Sequence, residues 1–115
     1  MRVLALSDLH NEFAHYEVPA HDADLVILAG DIGVGEAVPA WISAQFQDKS
    51  VPVAFVAGNH EFYRQNISIT QKLFREKLRA PHHFLENEAV ELNLAGERVR
   101  VLGATLWTSL MDGDR

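Results

Sequence analysis

Three short apolar runs, each followed at once by a polar motif, constrain the fold of this chain more than any other feature. Runs of four or five residues are too short for a helix and are typical of strands buried in a sheet. They cover residues 3–6, 25–29 and 53–57, and the motifs after them are Ser7-Asp8-Leu9-His10, Gly30-Asp31 and Gly58-Asn59-His60-Glu61. Because parallel strands bring their carboxyl ends to one edge of a sheet, the pattern predicts that these polar side chains meet there.

Two segments show the spacing of amphipathic helices. Residues 36–47 lie between the second and third runs, and residues 66–79 follow the third run and end before Pro81. Their apolar positions recur every three or four residues, at Val38, Trp41, Ile42 and Phe46 and at Ile69, Leu73, Phe74 and Leu78. We expect Trp41, Phe46, Phe74 and Leu78 in the core. Strands that alternate with helices predict parallel pairing and right-handed crossovers.

The last third of the chain follows a different pattern. Apolar and polar residues alternate through residues 90–94 and again through 98–101, on either side of Ala95-Gly96, which predicts a hairpin with one wet face. Residues 102–107 form a final apolar stretch that we interpret as a further strand. The predicted fold class is therefore α/β, with parallel strands in the order β-α-β-α-β followed by a hairpin.

A parallel sheet that ended after such a strand would expose an edge and an uncovered face. We therefore expect residues 1–115 to be the N-terminal portion of a single, truncated domain. A second copy of the chain that covers the open edge is the alternative.

Composition narrows the function further. The chain has 115 residues, 48% of them hydrophobic, a formal net charge of −6 and no cysteine. This size suits one domain, and the scattered basic residues make non-specific nucleic-acid binding a poor interpretation. The absence of cysteine excludes disulfides and thiolate metal sites. No apolar run reaches membrane-spanning length and no signal peptide is recognisable, so we expect a cytoplasmic protein without a membrane partner.

The polar motifs have the chemistry of metal ligands. Asp8 and His10 are two residues apart, so on an extended segment their side chains point the same way and hold one divalent cation. Asp31 has two carboxylate oxygens and is able to bridge two cations, and Gly30 before it permits a tight turn. Asn59 offers an amide oxygen. Mixed oxygen and nitrogen donors suit Mn, Fe or Zn better than calcium.

The remaining motif residues suit acid–base and substrate roles. His60 points away from the direction of Asn59, so we interpret it as a general acid or a substrate contact, with Glu61 to orient it. Two cations about 4 Å apart activate water and hold both oxygens of an in-line phosphoryl displacement. Arg64 either faces the phosphate or is a solvated loop residue. His82-His83 follows Pro81, away from the strand ends, and we do not interpret it as a ligand pair.

At these residues the chain resembles the calcineurin-like metallophosphoesterase family. The family motifs are an Asp-x-His after the first strand, a Gly-Asp after the next and a Gly-Asn-His-Glu or Gly-Asn-His-Asp after the third. They correspond here to Asp8-Leu9-His10, Gly30-Asp31 and Gly58-Asn59-His60-Glu61, and Gly103-Ala104-Thr105-Leu106-Trp107 resembles a strand of one bacterial branch.

The resemblance implies a four-layer α/β/β/α sandwich, here incomplete, and a phosphate-ester substrate. It implies two divalent metal ions, with Asp8 and His10 on the first, Asp31 between them and Asn59 on the second, while His60 assists the leaving group. The family completes its site with a later histidine and a Gly-His-x-His motif, and this sequence contains no Gly-His pair. The alternative interpretation is therefore a catalytically inactive fragment, or a binding or assembly module that retains the fold.

Overall fold

A computed structural model of the chain describes residues 1–107. Its elements in chain order are β1 (Val3–Leu6), β2 (Leu25–Ala29), α1 (Ala37–Gln45), β3 (Val53–Val56), a short 3₁₀ helix (His60–Phe62), α2 (Ile67–Lys77), β4 (His83–Phe84), β5 (Glu88–Leu94) and β6 (Glu97–Gly103). Neither α-helix in this part of the chain has the length and apolar character that crossing a membrane requires.

The first four strands form one parallel sheet in the order β1-β2-β3-β4. The antiparallel pair β5-β6 forms a separate two-stranded sheet. This confirms the predicted α/β class and the parallel pairing. The two-residue strand β4 was not predicted, because a pair of residues carries no periodicity. The connection from β1 to β2 contains no α-helix, so a loop makes that crossover.

Alternate residues of the central strands face two different cores. In β3, Val53 and Phe55 face the helices, while Ala54 and Val56 face the hairpin. The same alternation in β2 sends Val26 and Leu28 to the helical side and Leu25 and Ile27 to the other. The result is three layers, helices on sheet on hairpin, which is what a partial α/β/β/α sandwich requires.

The helices contribute the aromatic part of the first core. Trp41, Phe46, Phe74 and Leu78 are buried, as predicted. Ile69 is 69% exposed, however, and the buried face of α2 follows Thr70, Phe74 and Leu78. These three positions are four residues apart and define one stripe of the helix, and Ile69 in the first turn lies beside that stripe.

Two of the expected strand features are wrong. The run at residues 3–6 is not buried on both faces, because β1 is an edge of the sheet in the described residues and Val3 is exposed. Residues 102–107 do not form a separate strand. Strand β6 continues to Gly103, which pairs with Glu88. The chain then passes the carboxyl end of β3, where the Thr105 hydroxyl donates to the Ala57 carbonyl at 2.6 Å.

His82 belongs to the packing of the sheet rather than to its polar edge. It is buried beside the first residue of β3, where its Nδ1 accepts the Val53 N–H at 3.2 Å. Its Nε2 lies 3.1 Å from the Phe46 carbonyl and donates to it. The contact with Val53 needs a neutral ring, because Nδ1 must keep its lone pair to accept a hydrogen bond. Burial lowers the pKa of His82 below its usual value. The pair His82-His83 thus lies at the amino ends of the strands, opposite the ligand motifs.

We predict that His82→Gln makes stability less sensitive to acid. The unfolded chain takes up a proton near pH 6.5, whereas folded His82 resists it, so stability is lost as pH falls from about 7 towards the lowered pKa. One such group changes the free energy of unfolding by at most about 1.4 kcal/mol per pH unit. Glutamine keeps a donor and an acceptor and does not titrate, so urea unfolding between pH 7.5 and 5 should show a shallower decline.

The control is His15→Gln, since His15 is exposed and its replacement should leave the decline unchanged. The pKa of His83 is also lowered by burial, but it titrates in every variant. Equal slopes for wild type and His82→Gln would show that His82 does not set the acid response.

Candidate metal site

The loops after the first two strands are tied together by backbone hydrogen bonds. The Asp8 N–H donates to the Gly30 carbonyl at 3.0 Å, and the His10 N–H donates to the Asp31 carbonyl at 2.9 Å. Three residues at these hydrogen bonds have a left-handed backbone conformation: φ is 55° at Asp8, 48° at His10 and 55° at Asp31. The segment from Asp8 to His10 is therefore not extended, contrary to the reasoning from sequence. Left-handed conformations in non-glycine residues cost roughly 1–3 kcal/mol each and are concentrated at functional sites.

Three side chains on these loops form a possible ligand set. One donor atom each from Asp8, His10 and Asp31 lies within 4.8 Å of the other two. The Nε2 of His10 is 3.7 Å from Oδ1 of Asp8. Two carboxylates and one imidazole suit a divalent cation such as Mn, Fe or Zn, and this donor set fits the first metal of the family.

Asn59 lies against the same aspartate. The amide atom of Asn59 nearest to Asp31 is 3.3 Å from both carboxylate oxygens, and a nitrogen in that position donates to both. That nitrogen position requires a 180° rotation of the amide; as it stands, the Asn59 oxygen faces the carboxylate, which is the arrangement that a cation shared by the two residues requires. Asp31 and Asn59 together fit part of a second metal site.

Gly58 is required for this close approach. A Cβ at Gly58 would lie 2.8 Å from the Asp31 backbone nitrogen and would overlap the Asp31 carboxylate. Only a residue without a side chain lets the loop after β3 pass so close to Asp31.

Glu61 holds the loops after β2 and β3 in place. Its side chain is fully buried, and its Oε1 accepts the N–H groups of Gly58 at 2.7 Å and Asp31 at 2.9 Å. Its Oε2 accepts those of Ile32 at 2.6 Å and Gly33 at 3.3 Å. Burial raises the pKa of the Glu61 carboxyl, and the four N–H donors oppose that rise. One carboxylate therefore ties together the two loops that carry Asp31 and Asn59.

The contacts of His60 differ from those expected. Its backbone N–H donates to Oδ1 of Asp31 at 2.9 Å. Its imidazole Nδ1 lies 2.8 Å from Oε2 of Glu12, and Glu61 was the residue expected in that role. The hydrogen bond to Glu12 raises the pKa of His60, burial opposes the rise, and the negative charge of Asp31 adds to it.

Glu12 is the functional candidate that reasoning from the sequence missed. Its Oε2 also lies 3.3 Å from Nδ1 of His10, so one oxygen contacts both histidines. Burial raises the pKa of the Glu12 carboxyl, but the hydrogen bonds, first among them the one with His60, together lower it below its usual value. Glu12 follows His10 by two residues, as His10 follows Asp8, and this regular spacing was the available signal.

Aromatic side chains surround the two histidines. The His60 ring packs edge-on to the His10 ring with centroids 4.5 Å apart and stacks on Tyr63 at 4.3 Å. Phe13 is 77% exposed and lies 5.9 Å from the His10 ring. Arg64 is exposed in the turn after the 3₁₀ helix, with φ of 56°, and its role towards a phosphate stays a prediction.

Comparison with known proteins agrees with this arrangement of parallel sheet and ligand loops. The family model of the calcineurin-like phosphoesterases matches residues 1–109. The chain belongs to the calcineurin-like phosphoesterase family, as the three motifs predict. A search of curated proteins gave no match.

We predict that Glu61→Gln destabilises the protein and loosens the ligand loops. Glutamine replaces one acceptor oxygen with a donor, which then faces backbone N–H groups, and each buried group left unsatisfied costs about 1–3 kcal/mol. Urea unfolding should show a lower free energy of unfolding. The control is Glu97→Gln, an exposed glutamate of the hairpin. Equal stability of the Glu61→Gln variant and wild type would contradict the role of Glu61 as the tie between the loops.

Proposed function

We propose that this chain carries the metal-binding loops of a metal-dependent phosphoesterase, which hydrolyses phosphate mono- or diesters. The main support for the proposal is that one ligand atom each from Asp8, His10 and Asp31 lies within 4.8 Å of the other two. The amide of Asn59 also lies beside the Asp31 carboxylate. Membership of the calcineurin-like phosphoesterase family supports the reaction class.

The ligand roles follow from these contacts. Asp8 and His10 would hold the first divalent cation, Asp31 would be shared between the first and the second, and Asn59 would contribute its amide oxygen to the second. Bound divalent cations supply Lewis acidity, which lowers the pKa of a water molecule and offsets charge on the phosphate oxygens. The carboxylates of Asp8 and Asp31 would balance the positive charge of the cations, and Asp31 is itself held by the loop contacts around Glu61.

His60 acts on the leaving group. Its Nδ1 is occupied by Glu12, so Nε2 is the ring nitrogen that remains for substrate. The imidazolium form of His60, which the hydrogen bond to Glu12 favours, carries hydrogen on both ring nitrogens. Donation of its Nε2 proton to the departing alkoxide oxygen contributes about 10²–10⁴-fold to the rate in comparable reactions. The backbone bond from His60 to Asp31 keeps this acid next to the cations.

The first test is Asp31→Asn. Loss of the negative charge of Asp31 should weaken the binding of both ions. Plasma mass spectrometry after manganese exposure and dialysis should therefore find less metal per chain than in wild type. Turnover of phosphate esters should fall by more than about 100-fold, beyond what the loss of an outer contact of a ligand causes. The matched control is Asp22→Asn, an exposed aspartate that pairs with Arg2 and lies before β2, whereas the candidate ligands follow the strands.

His60→Gln separates acid catalysis from metal binding. We expect unchanged metal content and a turnover lower by about 10²–10⁴-fold. Loss of metal in this variant would make His60 a ligand instead. If wild-type protein binds manganese but hydrolyses no ester in a panel of mono- and diesters, the binding or assembly module is the better interpretation of the chain.

A further inference from the structure

We infer that Glu12 is a positioning residue that directs both site histidines: its carboxylate holds Nδ1 of His10 and Nδ1 of His60, which leaves both Nε2 atoms for cation and substrate. The part that concerns substrate rests on the proposed function, and the part that concerns ring orientation does not.

The geometry of Glu12 suits this task. Its side chain is only 17% exposed, and one oxygen, Oε2, lies 2.8 Å from Nδ1 of His60 and 3.3 Å from Nδ1 of His10. The two rings themselves pack edge-on at 4.5 Å. The carboxylate therefore lies on the Nδ1 side of both rings.

The loop around Glu12 is fixed on both sides. The backbone and side-chain N–H groups of Asn11 both donate to the Ile32 carbonyl, at 2.9 and 3.0 Å. The side-chain oxygen of Asn11 accepts the Tyr16 N–H at 2.7 Å, and the Phe13 N–H donates to the His10 carbonyl at 2.9 Å. Glu12 thus has a defined position from which to hold two rings.

The chemistry of the contacts sets the position of each proton. An ionised carboxylate only accepts hydrogen bonds, so each Nδ1 that contacts it carries the hydrogen. The lone pair of neutral His10 is then on Nε2, the nitrogen that lies 3.7 Å from Asp8 Oδ1. A hydrogen bond at one ring nitrogen decides what the other is able to do, and carboxylates commonly play this part for metal-binding histidines.

The test measures the position of the imidazole protons directly. Long-range proton–nitrogen NMR spectra of the metal-free chain at pH 8.5 should show hydrogen on Nδ1 of both His10 and His60. Glu12→Leu removes the acceptor, so both rings should become mixtures of the Nδ1–H and Nε2–H tautomers. Glu12→Gln keeps an acceptor oxygen and should restore Nδ1–H in at least one ring.

The matched control is Glu17→Leu. Glu17 also contacts a histidine, His15, whose Nε2 lies 3.4 Å from Oε1 of Glu17, but both side chains are exposed and outside the site. This variant should leave the spectra of His10 and His60 unchanged. Identical proton positions in wild type and Glu12→Leu, or a neutral wild-type His60 whose single ring hydrogen is on Nε2, would overturn the inference.

Calorimetric titration with manganese alone separates a positioning role from a ligand role. Because Glu12 with His10 and His60 also forms a compact group of possible ligands, direct coordination is the rival role. If Glu12 is a positioning residue, the Glu12→Gln substitution should weaken manganese binding by about 10–100-fold. Complete loss of binding with wild-type proton positions in Glu12→Gln would overturn the inference and make Glu12 a ligand.

The effect on turnover depends on the leaving group. In the Glu12→Gln variant, kcat for an alkyl phosphate should fall by about 10–100-fold, while KM stays within about twofold of the wild-type value. The fall in kcat for p-nitrophenyl phosphate should be smaller, because its leaving group needs no proton. If kcat falls by the same factor for both substrates, the inference fails for His60. If wild type hydrolyses neither ester but the NMR result is as expected, the proposed function fails and the positioning of the rings by Glu12 stands.

Discussion

The buried carboxylate of Glu61 is the interaction on which the rest of the site depends. It accepts N–H groups from the loops after β2 and β3, and so fixes the distance between two segments that the sheet alone would leave free beyond its last hydrogen bond. A buried carboxylate is costly unless its oxygens are satisfied. Four donors meet that requirement, so the residue that would otherwise destabilise the core becomes the tie between the Asp31 and Asn59 loops.

Backbone hydrogen bonds between the loops after β1 and β2 stabilise the left-handed residues in these loops. Asp8, His10 and Asp31 each adopt a backbone conformation that an isolated chain would avoid. The hydrogen bonds from Asp8 to Gly30 and from His10 to Asp31 hold them there. Beneath them, β2 and β3 are packed on both faces, by helices on one side and by the hairpin on the other. A sheet packed on both faces and short tied loops give these side chains fixed positions.

Much of this could be predicted from the sequence, and the failures have physical causes. Apolar runs that end in polar motifs identify β2 and β3 because burial on both faces and a shared sheet edge are properties of parallel strands. The same reasoning cannot place Glu12, because its partner His60 is 48 residues away and only the closed loops bring them together. Nor does it give Glu61 its role, since four backbone donors leave no trace in side-chain patterns. The left-handed turns at Asp8 and His10 similarly follow from tertiary contacts rather than local preference.

The order of the ligands along the chain has a consequence for folding. Asp8, His10, Asp31 and Asn59, the proposed ligands, follow three successive strands, so cations bound to them would link His10 to Asp31 and Asp31 to Asn59 across two long stretches of sequence. The chain has no cysteine and so no disulfide with which to restrict its unfolded state. A divalent ion that binds only the folded protein stabilises it differently, by lowering the free energy of the folded state: at 100 times its dissociation constant it adds about 2.7 kcal/mol to the free energy of unfolding. Under the proposed function, cation concentration therefore sets the stability of the folded sheet as well as the chemistry that its edge supports.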